Sequence, residues 1–326
     1  MSTVGPMRTV GPVRTVVAML TYRRPDDLAV AAPAFLAQAA EVGASLLVVD
    51  NDPDASARVW VQGLDDDAVR YVHEPRPGIA AGRNRALAEV GDADLLVFVD
   101  DDETPEPGWL RALLAEHERS RPAAVVGAVV SEFAGQVEPW VSEGRFFERR
   151  RLPTGTPVDV AATNNLLLDL AQVRALEVTF DERFGLSGGS DTLFTRTLAR
   201  RGGRLVWCDE AVVVDHVPAD RATPRWILAR ARRSGNSAAR AEVAATPGRL
   251  GRVVVRARFL ARGGVRMIGG GVRIARGALT GSQVARLVGR RNVQRGVGML
   301  GGAFGHVVVE YGRPAPVSRE ADAAPQ

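Results

Sequence analysis

The stretch Leu95-Leu96-Val97-Phe98-Val99-Asp100-Asp101-Asp102-Glu103-Thr104-Pro105 sets five apolar residues ahead of four acids and ends on a proline. An apolar run containing Val and Phe, closed by charge and proline, reads as a buried strand that surfaces at its C-terminal end. Four adjacent carboxylates repel one another, and a cation among them relieves the repulsion. Oxygen-only ligands suit a hard divalent ion such as Mg2+ or Mn2+. The same acids also suit a solvated turn that caps a helix over residues 107–111. The stretch by itself leaves both readings open.

Working outward, the chain repeats this unit. An apolar run over residues 15–20 and an Ala-rich helical stretch over 25–42 lead to a second run over 46–49, which ends in Asp50-Asn51-Asp52. A strand near 69–73 and a helix near 80–90 then precede Leu95. Strands alternating with helices predict an α/β fold, with a mostly parallel central sheet flanked by helices on both faces. Ligands of such sheets bind beyond the C-terminal strand ends. That rule brings Thr21-Tyr22-Arg23-Arg24, Asp50-Asn51-Asp52 and the four acids after Val99 to one place. The loop Pro77-Gly78-Ile79-Ala80-Ala81-Gly82-Arg83-Asn84-Arg85 lets backbone and arginine approach an anion, although an exposed helix face also accounts for Arg83 and Arg85. It is not a GxGxxG fingerprint, and no GxxxxGK[ST] occurs, so neither a Rossmann dinucleotide site nor a P-loop is supported.

At 326 residues the chain accommodates one main domain and an extension. The lone Cys208 excludes an intramolecular disulfide, fits a reducing compartment and is expected in the core. No signal-peptide pattern and no apolar run of roughly 20 residues is present, so a cytosolic protein is expected. The net charge of +4 conceals an asymmetry, because residues 225–295 hold 17 arginines and a single acid, Glu242. There Arg252, Arg256, Arg258, Arg262, Arg266, Arg273 and Arg276 project within about 160° of arc, with Val253, Val254, Leu260, Val265, Met267, Ile268 and Val272 largely opposite. Val255, Phe259 and Ile274 break the pattern, and Gly263-Gly264 and Gly269-Gly270-Gly271 are expected to interrupt any single helix. The segment reads as a surface for anionic lipid or as a docked helix pair. Without an aromatic platform, zinc motif or helix-turn-helix pattern, no nucleic-acid partner is expected.

The ordered set Thr21-Tyr22-Arg23-Arg24-Pro25, Val48-Val49-Asp50-Asn51-Asp52, Gly78 through Arg83-Asn84, Val99-Asp100-Asp101-Asp102-Glu103, Thr163-Asn164-Asn165 and Gly188-Gly189-Ser190-Asp191 resembles the family 2 glycosyltransferases of GT-A fold. Within them it is most similar to bacterial exopolysaccharide enzymes typified by the succinoglycan glucosyltransferases. The resemblance covers about residues 14–240. It implies a GT-A catalytic domain over 14–224; the arginine-rich pattern gives a basic helical extension over 225–312, and disordered tails are expected at 1–13, where Thr-Val-Gly-Pro repeats without an apolar period, and at 313–326. It also implies transfer of a sugar, with inversion, from a nucleotide-diphosphate sugar, usually UDP-linked, to a hydroxyl of a lipid-linked or cell-envelope glycan. The cofactor would be Mg2+ or Mn2+, and the enzyme cytoplasmic and peripheral at the inner face of the membrane.

On this resemblance Thr21, Tyr22, Arg23, Asp50, Asn51, Gly78, Arg83, Asp100 and Asp101 fall to the donor, with Asp50 at the uracil ring. Asp102 contacts the metal directly, and Asp100 reaches the ribose or the metal through water. His216 supplies a late metal ligand, with Asp215 competing for the place. The family's general base follows Gly-Glu; here Gly189-Ser190-Asp191 keeps the base Asp191 and replaces the glutamate. Asp191 also suits a helix cap, and the two roles are compatible. Trp140, Asn164, Asn165 and Gly189 are assigned to the acceptor, Trp140 because sugars stack on aromatic rings. Two other classes fit acids at strand ends: a metal-dependent nucleotidyltransferase acting on sugar phosphates, and a sugar-nucleotide binding protein without turnover.

Overall fold

The computed structural model describes residues 13–308. The tails expected at 1–13 and 313–326 lie, but for Val13, outside them. The chain runs β1 (Thr15–Thr21), α1 (Pro25–Ala40), β2 (Ser45–Asp50), α2 (Arg58–Gln62), β3 (Val69–His73), α3 (Ile79–Glu89) and β4 (Leu95–Asp100). It continues through β5 (Glu103–Pro105), α4 (Trp109–Ser120), β6 (Ala124–Phe133), α5 (Pro139–Glu143), β7 (Pro157–Val158), β8 (Asn165–Asp169), α6 (Leu170–Ala175), α7 (Ser190–Arg200) and β9 (Leu205–Val217). Three long helices follow, α8 (Pro224–Ala245), α9 (Arg249–Leu279) and α10 (Gln283–Ala303).

One mixed sheet has the order β3-β2-β1-β4-β8-β6-β9-β5, with β7 paired to β9. β3, β2, β1 and β4 are mutually parallel, β8 runs antiparallel between β4 and β6, and β6 and β9 are parallel. Alternation along β1 explains its unbroken apolar sequence. Val17 and Met19 meet Leu28 and Phe35 of α1 and Trp109 and Leu113 of α4, while Val16 and Ala18 meet the layer holding Ala86, Phe194 and Leu198. A strand covered on both faces needs apolar residues at every position. Phe35 and Trp109 pack edge to face at 5.1 Å, and the Trp109 indole N–H donates to Asn165 at 2.9 Å, so the buried ring leaves no polar atom unpaired. The register Val99 opposite Asn165 brings the start of β8 to the edge where β4 ends.

The apolar region that follows α7 forms one long strand, β9. Its register with β6 jumps from Gly127↔Cys208 to Ala128↔Val212, so Asp209 and Glu210 sit in an irregularity. The glycines of the basic extension do not break a helix, because α9 is continuous over 31 residues. A Cβ added at Gly270 would lie 2.7 Å from the Gly289 carbonyl oxygen, and one at Gly263 would lie 3.1 Å from that of Gly296. Glycine at seven-residue intervals lets α9 and α10 approach backbone to backbone, and this packing outweighs a helix-propensity cost of about 1 kcal/mol per glycine. Gly298 and Gly302 do the same for α10 against α8.

Val255 and Phe259, which break the sequence projection of α9, are on the face it buries. The opposite face is solvent-facing and apolar, with Val265, Ile268, Val272 and Leu279 well exposed. Arginines lie between the two faces. Among the described residues no helix is long and apolar enough to cross a membrane.

Candidate active site

The ends of β1, β2, β4 and β9, the start of β8 and the N-terminal ends of α3 and α7 enclose a cleft of about 600 Å3. Thr21, Tyr22, Arg24, Asn51, Gly78, Arg83, Asn164, Asp191 and the acids Asp100 through Glu103 line it. Gly78 is required there: its φ is 110°, and a Cβ would sit 3.1 Å from the Gly185 backbone. The turn brings the N-terminal end of α3, which favours an anion, to the cleft. Arg83 is buried in that helix, donates to the Ser190 hydroxyl at 3.0 Å and lies 5.6 Å over the Phe180 ring. The far wall is α8, whose Trp226, Arg230 and Arg233 recur at helical spacing.

The acids are held under tension. Burial, then the charge of Asp102, pushes Asp100 up to about 6, while Arg83 and Arg24 oppose the rise. Burial pushes Asp101 up to about 7 against the charge of Arg24 and a hydrogen bond from Thr21. Glu103 is pushed well above the usual carboxylate range by burial and by Asp100. Its Oε1 accepts from Asn164 at 2.5 Å, whereas its Oε2 and the Thr163 hydroxyl are buried without a partner. Asp102 Oδ2 accepts from Arg24 at 2.8 Å and from Arg221 at 3.1 Å, and Arg24 also reaches Asp101 at 3.1 Å.

An oxygen-only set of mutually repelling acids fits a hard divalent cation. Among the described residues, however, no three His, Cys, Asp or Glu side chains converge on one point. The residues therefore suit an ion that takes further oxygens from its ligand, as a diphosphate provides.

Several residues singled out in the sequence lie elsewhere. Asp50 is fully buried, and its carboxylate accepts from the amides of Asp52 and Ala57 and from the Tyr71 hydroxyl, fixing the turn after β2 instead of facing the cleft. Arg23 adopts φ 54° and turns out to Asp52 and Asp54, so the adjacent Arg24 takes the cleft position. Asn165 lies beneath the site, donating to the carbonyls of Ala128 and Ala211. Gly189 is the N-cap of α7 against Ser237 and is not in the cleft lining. With the cap position filled by Gly189, the Asp191 carboxylate in the first turn reaches the cleft.

Trp140 packs in the core against Phe146, and the aromatic wall is instead Phe147 stacked on Trp226 at 5.7 Å. Along the extended strand β9, Asp215 faces the cleft and pairs with Arg149. The neighbouring His216 is exposed outside the lining, with Nε2 2.8 Å from the Thr104 hydroxyl. Cys208 is buried and free, as expected.

The sequence reading missed Arg149, Arg221, Arg230, Arg233 and Trp226. For the α8 residues a signal existed, the four- and three-residue spacing of Trp226, Arg230 and Arg233. Arg149 and Arg221 sit in irregular chain with no periodicity to mark them.

Residues 16–169 match the family described as Glycosyl transferase family 2. Succinoglycan biosynthesis protein ExoM of Rhizobium meliloti (strain 1021) is 33% identical over 226 residues, which is 68% of this chain and 72% of that protein. Glucosyl-dolichyl phosphate glucuronosyltransferase of Haloferax volcanii is 30% identical over 128 residues, 39% of each chain. Among solved structures, S. aureus TarS 1-349 aligns with a TM-score of 0.50 at 13% identity over 86% of this chain and 90% of that one. The same fragment in complex with UDP-GlcNAc gives 0.50 at 14%, with the same coverage. GalNAc-T7 with UDP, GalNAc and Mn2+ gives 0.51 at 12% over 74% of this chain, which spans about half (53%) of that protein's chain. At these identities the structural likeness is one of fold.

Proposed function

The chain belongs to glycosyl transferase family 2 and has the GT-A fold, and we propose that it transfers a sugar, with inversion, from a nucleotide-diphosphate sugar, UDP-linked, to a glycan hydroxyl. The observation that carries this reading is the opening of the Asp191 carboxylate into the same cleft as Asp100, Asp101 and Asp102. Asp191 takes the proton of the acceptor hydroxyl as its oxygen bonds to the anomeric carbon; the bond to the diphosphate oxygen breaks with its electron pair. Arg24, Arg83 and Arg221 place positive charge along the departing diphosphate in a partly desolvated site. A divalent ion, Mg2+ or Mn2+, bound at Asp102 and Asp100 would neutralise the same phosphates. Phe147 and Trp226 offer the acceptor sugar an aromatic face, and Asn164 its polar edge.

The acceptor in this reading is a lipid-linked or exopolysaccharide glycan, met at the inner face of the membrane. The outward apolar row of α9 bordered by arginines supports that placement, being complementary to an anionic bilayer surface.

Incubating purified protein with UDP-sugars and a lipid-linked acceptor tests the reaction. Release of UDP with an inverted anomeric centre is expected. Release of pyrophosphate would place the chain with the nucleotidyltransferases instead.

A further inference from the structure

A second cavity, of about 370 Å3, opens beside the cleft and shares Phe147, Arg149, Trp226 and Arg230 with it. Its outer wall comes from the helical extension: Arg266 on α9, and Arg291 and Arg295 on α10. Among the described residues none of these three arginines forms an ion pair. The one acid in the wall, Glu148, is held by Arg145. Arg291 lies 5.0 Å over the Phe146 ring and, among the described residues, donates only to the Arg145 carbonyl, at 3.4 Å. Three guanidiniums kept close without a counter-charge are costly unless an anion joins them. Burial, then repulsion from Arg295, Arg273 and Arg266, lowers the Arg291 pKa; burial and Arg266 do the same to Arg295. A phosphate pairs with guanidinium forks bidentately, which a lone carboxylate among three such groups does not exhaust.

We infer that this cavity binds the diphosphate that joins the acceptor's first sugar to its lipid. The inference rests on the glycosyltransferase reading and deepens it. Arg266 belongs to the helix whose other face carries the exposed Val265, Ile268 and Val272, so the same helix lines the cavity and presents the apolar row. Its inner end runs past Phe147 and Trp226 into the cleft of Asp191. A diphosphate fixed at the outer end leaves the attached sugars directed along the aromatic wall toward the base, and a glycan lacking it loses that anchor.

Inorganic pyrophosphate is the probe, titrated into the full chain with the donor cleft saturated by UDP. One further pyrophosphate site is expected, weakened about tenfold or more by Arg291→Gln with Arg295→Gln and also by Arg266→Gln alone, with UDP affinity unchanged. Absence of this site in the wild type, or equal affinity in the variants, overturns the proposal. Anionic vesicles separate the two sources of phosphate. The double variant is expected to keep its vesicle binding, and parallel loss of vesicle and pyrophosphate binding would make the cavity a phospholipid headgroup site and overturn the acceptor assignment. If UDP itself does not bind, the glycosyltransferase reading fails, while the pyrophosphate titration still scores the cavity.

Discussion

Gly270 of α9 and Gly289 of α10 approach so closely that a Cβ on either would lie 2.7 Å from the other's carbonyl oxygen. A Cβ on the adjoining Gly269 would have nothing within 4 Å. Adjacent substitutions should therefore act with opposite sign. Gly270→Ala should destabilise the helical layer by about 1–3 kcal/mol through overpacking, whereas Gly269→Ala should stabilise it by about 0.5–1 kcal/mol through helix propensity. Urea unfolding of the two variants reads the difference, and equal effects would mean that α9 and α10 do not pack through these carbonyls.

Asp102 is the acid held by both Arg24 and Arg221. On the proposed reading Asp102→Asn removes one anionic ligand of the ion and should abolish metal-dependent turnover while the fold, monitored by circular dichroism, is kept. Wild-type rates at limiting Mn2+ would remove Asp102 from the ion's surroundings.

For Asp191→Asn the expected signature is a split. UDP-sugar affinity should stay near wild type and transfer fall by about two to four orders of magnitude, because the role proposed for this carboxylate is on the acceptor hydroxyl. Weakened donor binding with transfer largely intact would make Asp191 a nucleotide contact instead.

The outward row of α9 can be changed without touching the core. Val265→Ser with Ile268→Ser and Val272→Ser should lower partition onto anionic vesicles at least about tenfold and leave thermal stability unchanged, since all three side chains are exposed. Vesicle binding by wild type should also fall as salt rises. Unchanged partition would leave α9 as a purely structural element.

Asp169 gives a pH-dependent stability. Burial works against its charge, but hydrogen bonds from His117 and Gln172 prevail and hold it at about 2. An unfolded carboxyl titrates near 3.9, so this carboxylate stabilises the fold above about pH 4, and the contribution is lost as pH falls toward 2. Asp169→Asn keeps a competent N-cap for α6 and should cost about 1–2 kcal/mol at pH 6. The gap from wild type should close between about pH 4 and pH 2 in denaturation curves; a gap independent of pH would exclude the ionic origin.

The sequence by itself determined the sheet and the edge where the site lies. Apolar runs at residues 15–20, 46–49 and 95–99 have to be buried on both faces, so helices must cover them, and the acids and arginines at their ends must surface together. Thr21, Tyr22, Asn51, Gly78, Arg83, Asp100 through Asp102, Asn164 and Asp191 meet there. Only the tertiary structure decided between neighbours. Arg24 and not Arg23 turns inward because the chain bends through positive φ at Arg23, and Asp215 and not His216 faces the cleft because an extended strand alternates its side chains. Local sequence likewise cannot tell a glycine that breaks a helix from one that admits another helix. Gly263 and Gly270 cost helix propensity wherever they stand, and only the arrival of Gly296 and Gly289, 33 and 19 residues further along the chain, turns that cost into packing.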